Sequence, residues 1–152
     1  MKTYCGIDPG QRGGIARIRD GVAERCLVQY MPNSPLLIVA ALENIVIDLV
    51  VLEKAQSMPK QGIVGAFNYG VHYGTLIGIL SVMGIPFVEV RPNVWKKEML
   101  QGVRDKSDKK QVITFCKRLF PDVNLIPPNC RVEKDGLAEA LLLAEYGRRK
   151  NL

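Results

Sequence analysis

The chain has 152 residues, 47% hydrophobic and 24% charged, with a formal net charge of +6. That length and composition suit one domain, residues 1–152, with a real core, and exclude a disulfide-stapled mini-protein. No run of 18 or more apolar residues occurs, so no membrane span is expected. The opening "MKTYCGIDPG" lacks the long apolar stretch of a signal peptide, which places the chain in the cytoplasm as an expectation. The four cysteines are widely spaced, none forms a C-x-x-C pair, and His72 is the lone histidine. Reduced, mostly buried thiols are therefore expected rather than a zinc site.

In chain order, residues 3–8 read as a strand stopped by the turn signal Pro9-Gly10. "GGIARIRD" and "VAERCLVQYM" follow, separated by Asp20-Gly21, a two-residue hairpin signal. Residues 35–46 read as a helix with Ser34 as N-cap before Pro35. The apolar run Ile47–Leu52 reads as a buried strand that ends on Glu53. A long helix spans 62–83 and carries Gly70, Gly74 and Gly78 at four-residue intervals. "IPFVEV" is a short strand, and helices are predicted after Pro92 and over 108–119. "VNLIPPNCRVE" is a loop, and "KDGLAEALLLAEYGRR" is a last helix with basic residues in its final turn, where they oppose the macrodipole. Three strands in a meander followed by alternating helix and strand predict an α/β layer fold with a mixed sheet flanked by helices.

Charge is placed unevenly. Between Arg91 and Phe120 there are nine basic residues against three acids, whereas the remaining chain holds twelve of each. An excess this concentrated favours a polyanionic partner over a merely solvated helix face. Candidate phosphate contacts are Lys54, Lys60, Lys96, Lys97, Lys106, Lys109 and Lys110.

Two predicted strands end in an acid, Asp8 and Glu53, and ligands of open α/β sheets bind beyond the carboxyl ends of strands. The last helix adds Asp135 and Glu139, four residues apart and so on one helix face, with Leu137, Ala140, Leu141 and Ala144 on the opposite, packing face. Taken singly, Asp8 could shape a turn, Glu53 could pair with Lys54 or Lys60, Asp135 could cap its helix and Glu139 could be a solvated acid. Together they have no shared structural reason. Clustered carboxylates repel unless a cation lies between them, and oxygen ligands without cysteine or histidine select Mg²⁺, with Mn²⁺ able to substitute. Such ions activate water and stabilise the leaving oxygen of a phosphodiester.

The motifs "YCGIDPG", "VVLEKAQ", "VRPNVWKKEML" with "DKKQV", and "KDGLAEALLLAEYGRR" occur in this order from about residue 3 to about residue 148. In this the sequence resembles RuvC-type Holliday junction resolvases, especially the short phage-type members, within the RNase H-like superfamily. The resemblance implies an RNase H-like mixed sheet. It also implies a homodimer that binds four-way DNA junctions in a bacterial or phage-infected cell, with no nucleotide cofactor and no membrane. Each subunit would nick one of two opposing strands with Mg²⁺, leaving 5′-phosphate and 3′-hydroxyl ends. Asp8 matches the first-strand aspartate and Glu53 the glutamate closing the fourth strand. Glu139 matches the second of two metal-binding residues on the last helix. The first falls three residues earlier, where this chain has Gly136, so Asp135 matches only with a one-residue offset. Lys109 or Lys110 matches a phosphate-contacting helix start. Where the bacterial family often has an aromatic three residues after the glutamate, this chain has Gln56, leaving Met58, Phe67 or Tyr69 for any wedge at the junction.

Three rival readings stand beside this one. An actin-like kinase or phosphatase domain shares the sheet, but it needs a duplicated domain and a glycine-rich nucleotide site, and 152 residues leave no room for them. A catalytically dead junction-binding module would not need four intact acids. A sibling nuclease acting on flaps, forks or RNA–DNA hybrids remains open. The glycine stripe of the long helix, with Val71, Leu76 and Ile77, has two readings: a dimer contact, or packing on the domain's own sheet.

Overall fold

The computed structural model describes residues 1–21, 26–43, 45–56 and 62–152. Five strands form one mixed sheet in the order β3-β2-β1-β4-β5. The strands are β1 (Thr3–Asp8), β2 (Gly14–Arg19), β3 (Cys26–Tyr30), β4 (Leu49–Glu53) and β5 (Phe87–Val90). Strands β1 to β3 are antiparallel neighbours, while β4 runs parallel to β1 and β5 parallel to β4. The expected meander followed by βα units is therefore what forms. Among the described residues five helices flank the sheet: α1 (Pro35–Leu42), α2 (Ile63–Val82), α3 (Pro92–Met99), α4 (Lys109–Leu119) and α5 (Asp135–Lys150).

The central strands have no polar face because both of their sides are covered. Alternation on β1 and β4 divides the core in two. Cys5, Ile7, Val50 and Leu52 join Ile38 and Leu42 of α1 and Leu76 and Leu80 of α2 on one side. Val51 joins Trp95, Val112 and Leu141, from α3, α4 and α5, on the other. Helix α5 lies so close to β1 that a Cβ on Gly6 would stand 2.0 Å from the Ala140 carbonyl oxygen, which is why that strand carries glycine at its centre.

Side-chain caps explain two of the helix starts. The Ser34 hydroxyl accepts from the Leu37 amide with Pro35 opening α1, and the Asp108 carboxylate accepts from Lys110 and Gln111 at the start of α4. Helix α1 is shorter than predicted, ending at Leu42, where Glu43 turns extended.

Three expectations need correction. Asp20-Gly21 does not make a two-residue hairpin turn. The register pairs Ile18 with Cys26, which is not the pairing a two-residue turn at Asp20-Gly21 would set; Gly21 adopts a left-handed φ of 75°, and residues 22–25 lie outside the described residues. Helix α5 has no single packing face. Gly136–Ala138 and Ala140–Gly147 are all buried, because the sheet covers one side of the helix and α3 and α4 cover the other. Finally, α2 has 20 residues without Asp, Glu, Lys or Arg, and is long and apolar enough to cross a membrane. Glycines, Asn68 and His72 break its apolar run without adding a formal charge, so a count of uninterrupted apolar residues passed over it. Leu76 and Leu80 nonetheless sit at 0% exposure in the sheet core.

All four cysteines are free, with Cys5 and Cys116 buried and Cys26 and Cys130 half-buried.

Candidate metal centre and nucleic-acid interface

Ile7 of β1 is level with Leu52 of the parallel β4, so the next residues, Asp8 and Glu53, leave the sheet side by side at its carboxyl edge. Both have the parity of Val51 and Gly6, facing α5. Helix α5 brings Glu139 to the same place. The ligand oxygens of Asp8, Glu53 and Glu139 all lie within 4.8 Å of one another.

The electrostatics of this cluster are strained. Burial, then the charges of Glu139 and Glu53, raise the Asp8 carboxyl well above the usual carboxylate range. Burial first, and Glu139 second, push Glu53 up to about 7, against the hydrogen bond it accepts from Trp95 and the nearby Lys96. That bond runs from the indole Nε1 to Oε2 at 2.7 Å. Lys96 reaches Glu139 Oε1 at 2.6 Å while its Nζ stands 5.3 Å from the centre of the Trp95 ring. Burial alone would lower the Lys96 pKa, but Glu139, Glu53 and Asp8 outweigh it and raise it.

Asp135 does not join the three. It is half-buried one turn before Glu139, and it pairs with Lys109 at 3.0 Å. The neighbouring Gly136 also has a reason: a Cβ there would lie 2.1 Å from the Arg12 carbonyl oxygen. The β1–β2 loop presses on the first turn of α5 and leaves no room for an acid at 136.

The other predicted residues fall into groups. Lys54, Lys97, Lys109 and Lys110 are exposed and Lys106 is half-buried, whereas Lys96 lies inside the acidic cluster rather than on the surface. Lys60 and Met58 lie outside the described residues. Tyr69 is half-buried over Gly10, and its hydroxyl pKa is pushed up to about 12 by burial and by Asp8, Glu53 and Glu139. It therefore borders the cluster, while Phe67 is 69% exposed on α2. Among the described residues nothing stands within 4 Å of a Cβ built on Gly70, Gly74 or Gly78, and all three are exposed. The stripe does not pack on the domain's own sheet, and that reading falls. Leu76 is buried, Ile77 half-buried and Val71 54% exposed.

Sequence reasoning missed Trp95 as a partner of Glu53. A tryptophan beside the lysine pair of "NVWKKE" is the visible signal, but its target lies 42 residues away and is set by packing.

No protein-family model matches the chain, and no curated protein matches it by sequence. Solved structures do. Thermus thermophilus RuvC in complex with a Holliday junction substrate is 16% identical with a TM-score of 0.65, covering 97% of this chain and 96% of that one. The yeast mitochondrial Holliday junction resolvase Ydc2 is 13% identical with a TM-score of 0.59, covering 96% and 77%. Fowlpox virus resolvase, solved with Holliday junction DNA, is 13% identical with a TM-score of 0.54, covering 98% and 99%. These likenesses define the fold class, a mixed five-stranded sheet flanked by helices as in the RuvC-like, RNase H-fold resolvases.

Proposed function

We propose that this protein is a metal-dependent endonuclease that resolves four-way DNA junctions by paired nicks, acting as a homodimer in the cytoplasm of a bacterium or phage-infected cell. The observation that carries the reading is the meeting of Asp8, Glu53 and Glu139, with ligand atoms within 4.8 Å, at the carboxyl edge of a resolvase-like sheet.

The residues fit a hard divalent cation. Three carboxylate oxygens converge without sulfur or imidazole, and the raised pKa values of Asp8 and Glu53 follow first from burial and then from the neighbouring carboxylates, which Lys96 offsets only in part. Asp8, Glu53 and Glu139 would hold Mg²⁺ or Mn²⁺, with Asp135 adjacent. A divalent ion bound there supplies activation of water and neutralisation of charge at the phosphodiester. The rigid sheet fixes Asp8 and Glu53, the Trp95 indole orients Glu53, and α5 fixes Glu139. The exposed lysines of α3 and α4 bind backbone phosphates, which position the DNA without reading its sequence. Tyr69, which borders the cluster over Gly10, is the ring proposed to meet unstacked bases.

A two-fold junction needs two sites facing opposing strands, which a C₂ dimer supplies. The exposed face of α2, with Phe67, Val71 and the open glycines, is the surface proposed for it.

Incubation with Mg²⁺ and a mobile four-way junction, a fork or an RNA–DNA hybrid tests the reading. Symmetric paired nicks in the junction are expected, from a species of twice the 16.9 kDa chain mass by light scattering. Cleavage confined to the fork or hybrid would overturn the junction assignment.

A further inference from the structure

The acidic cluster holds its own cation. Lys96 is half-buried, with 21% of its side chain exposed. Its ammonium donates to Glu139 at 2.6 Å and lies 5.3 Å from the ring of the tryptophan that is hydrogen-bonded to Glu53. Of the lysines in the basic segment, Lys97 and Lys110 face solvent, and Lys109 meets Asp135 with 69% of its side chain exposed. Lys96 instead donates to a carboxylate of the acidic cluster, at the oxygen that a bound metal would need.

From this geometry we propose that Lys96 is a displaceable counter-cation. It fills the cluster until a divalent ion arrives, is then released from Glu139, and passes to a DNA phosphate, so that metal and DNA binding favour each other. The inference rests on the metal-and-DNA reading above and adds the residue that couples the two ligands.

Three points support it. A divalent ion among Asp8, Glu53 and Glu139 brings two positive charges into contact range of the ammonium, a repulsion that the partly desolvated site strengthens. Lys96 cannot leave toward the interior, because Trp95 beneath it is at 0% exposure, so its four-carbon stem swings to the solvent side, where Lys97 already faces outward. A phosphate there replaces the carboxylate it has lost. By linkage, DNA that takes up Lys96 tightens metal binding by the same factor as metal tightens DNA binding.

Calorimetric titration of the full chain at pH 8 with Ca²⁺ or Mg²⁺, without DNA, tests the displacement directly. Trp95, the chain's one tryptophan, provides a fluorescence signal in the same titration. Lys96→Met removes the charge and keeps an apolar stem, Lys96→Gln is a second neutral variant, and Lys96→Arg keeps the charge. The two neutral variants are expected to bind the ion about tenfold tighter than wild type, with the arginine variant near wild type. Adding four-way junction DNA with Ca²⁺ is expected to tighten ion binding more in wild type than in Lys96→Met. Ion affinity that is equal or weaker in both neutral variants overturns the displacement and leaves the nuclease reading standing. Ion binding that is absent from every variant overturns both.

Discussion

Among the described residues two glutamates are buried, and they are buried in opposite ways. Glu145, 3% exposed on α5, accepts from Arg148 Nε and Nη2 at 2.7 and 2.8 Å and from Arg149 Nε at 2.7 Å. Burial by itself would raise its pKa, but the two guanidiniums outweigh burial and lower it. Glu53, 8% exposed, has an indole N–H on one oxygen and other carboxylates nearby, and it is pushed up to about 7. One acid is satisfied by its own chain and supports the fold. The other lies among acids that Lys96 offsets only in part. Burial alone does not separate a structural carboxylate from a functional one; the sign of its neighbours does.

The comparison breaks most sharply in activity. Glu53→Gln keeps the shape and the acceptor for Trp95 while removing the charge. Junction cleavage with Mg²⁺ should fall about 10³-fold or more while junction binding by gel shift is retained. Near wild-type cutting would mean that Glu53 is not in the reaction. Glu145→Gln should leave cleavage per folded molecule unchanged. It should lower stability by about 1–3 kcal/mol in urea unfolding, less than a fully buried pair because both guanidiniums reach solvent.

pH sharpens the same contrast in protein free of divalent ions. The folded pKa of Glu53 is raised from 4.5 to about 7, so its contribution is fully present below pH 4.5 and is lost as pH rises through 7. The folded pKa of Glu145 is lowered, so its contribution is present above pH 4.5 and is lost as pH falls through the folded value. Between pH 5 and 8, wild type should therefore lose stability relative to Glu53→Gln, by on the order of 2 kcal/mol. Parallel profiles over that range would remove Glu53 as the strained acid.

The smallest effect concerns the basic residues. Replacing Lys109 and Lys110 with Ala should reduce the salt slope of junction binding by roughly 1–2. Arg149→Ala should leave that slope unchanged, because its guanidinium is committed to Glu145. Equal changes in the two variants would mean that the DNA also crosses the far end of α5.

Local sequence carries the strands' order of appearance, the helix starts at Ser34 and Asp108, and the acids at the ends of β1 and β4. These follow from local signals: hydrophobic period, a capping side chain, and a carboxylate where an apolar run stops. The tertiary structure decided what those acids meet. Trp95 and Lys96 reach Glu53 and Glu139 across more than forty residues because α3 packs beside α5 on the sheet. Gly136 is required by the loop at Arg12, and Asp135 turns to Lys109 instead of joining the three carboxylates. Glu145 sits among leucines in a helix that reads as amphipathic, and its burial follows from α5 being enclosed on both sides. Each of these depends on which elements become neighbours, a property of the packed layers that no window of local sequence contains.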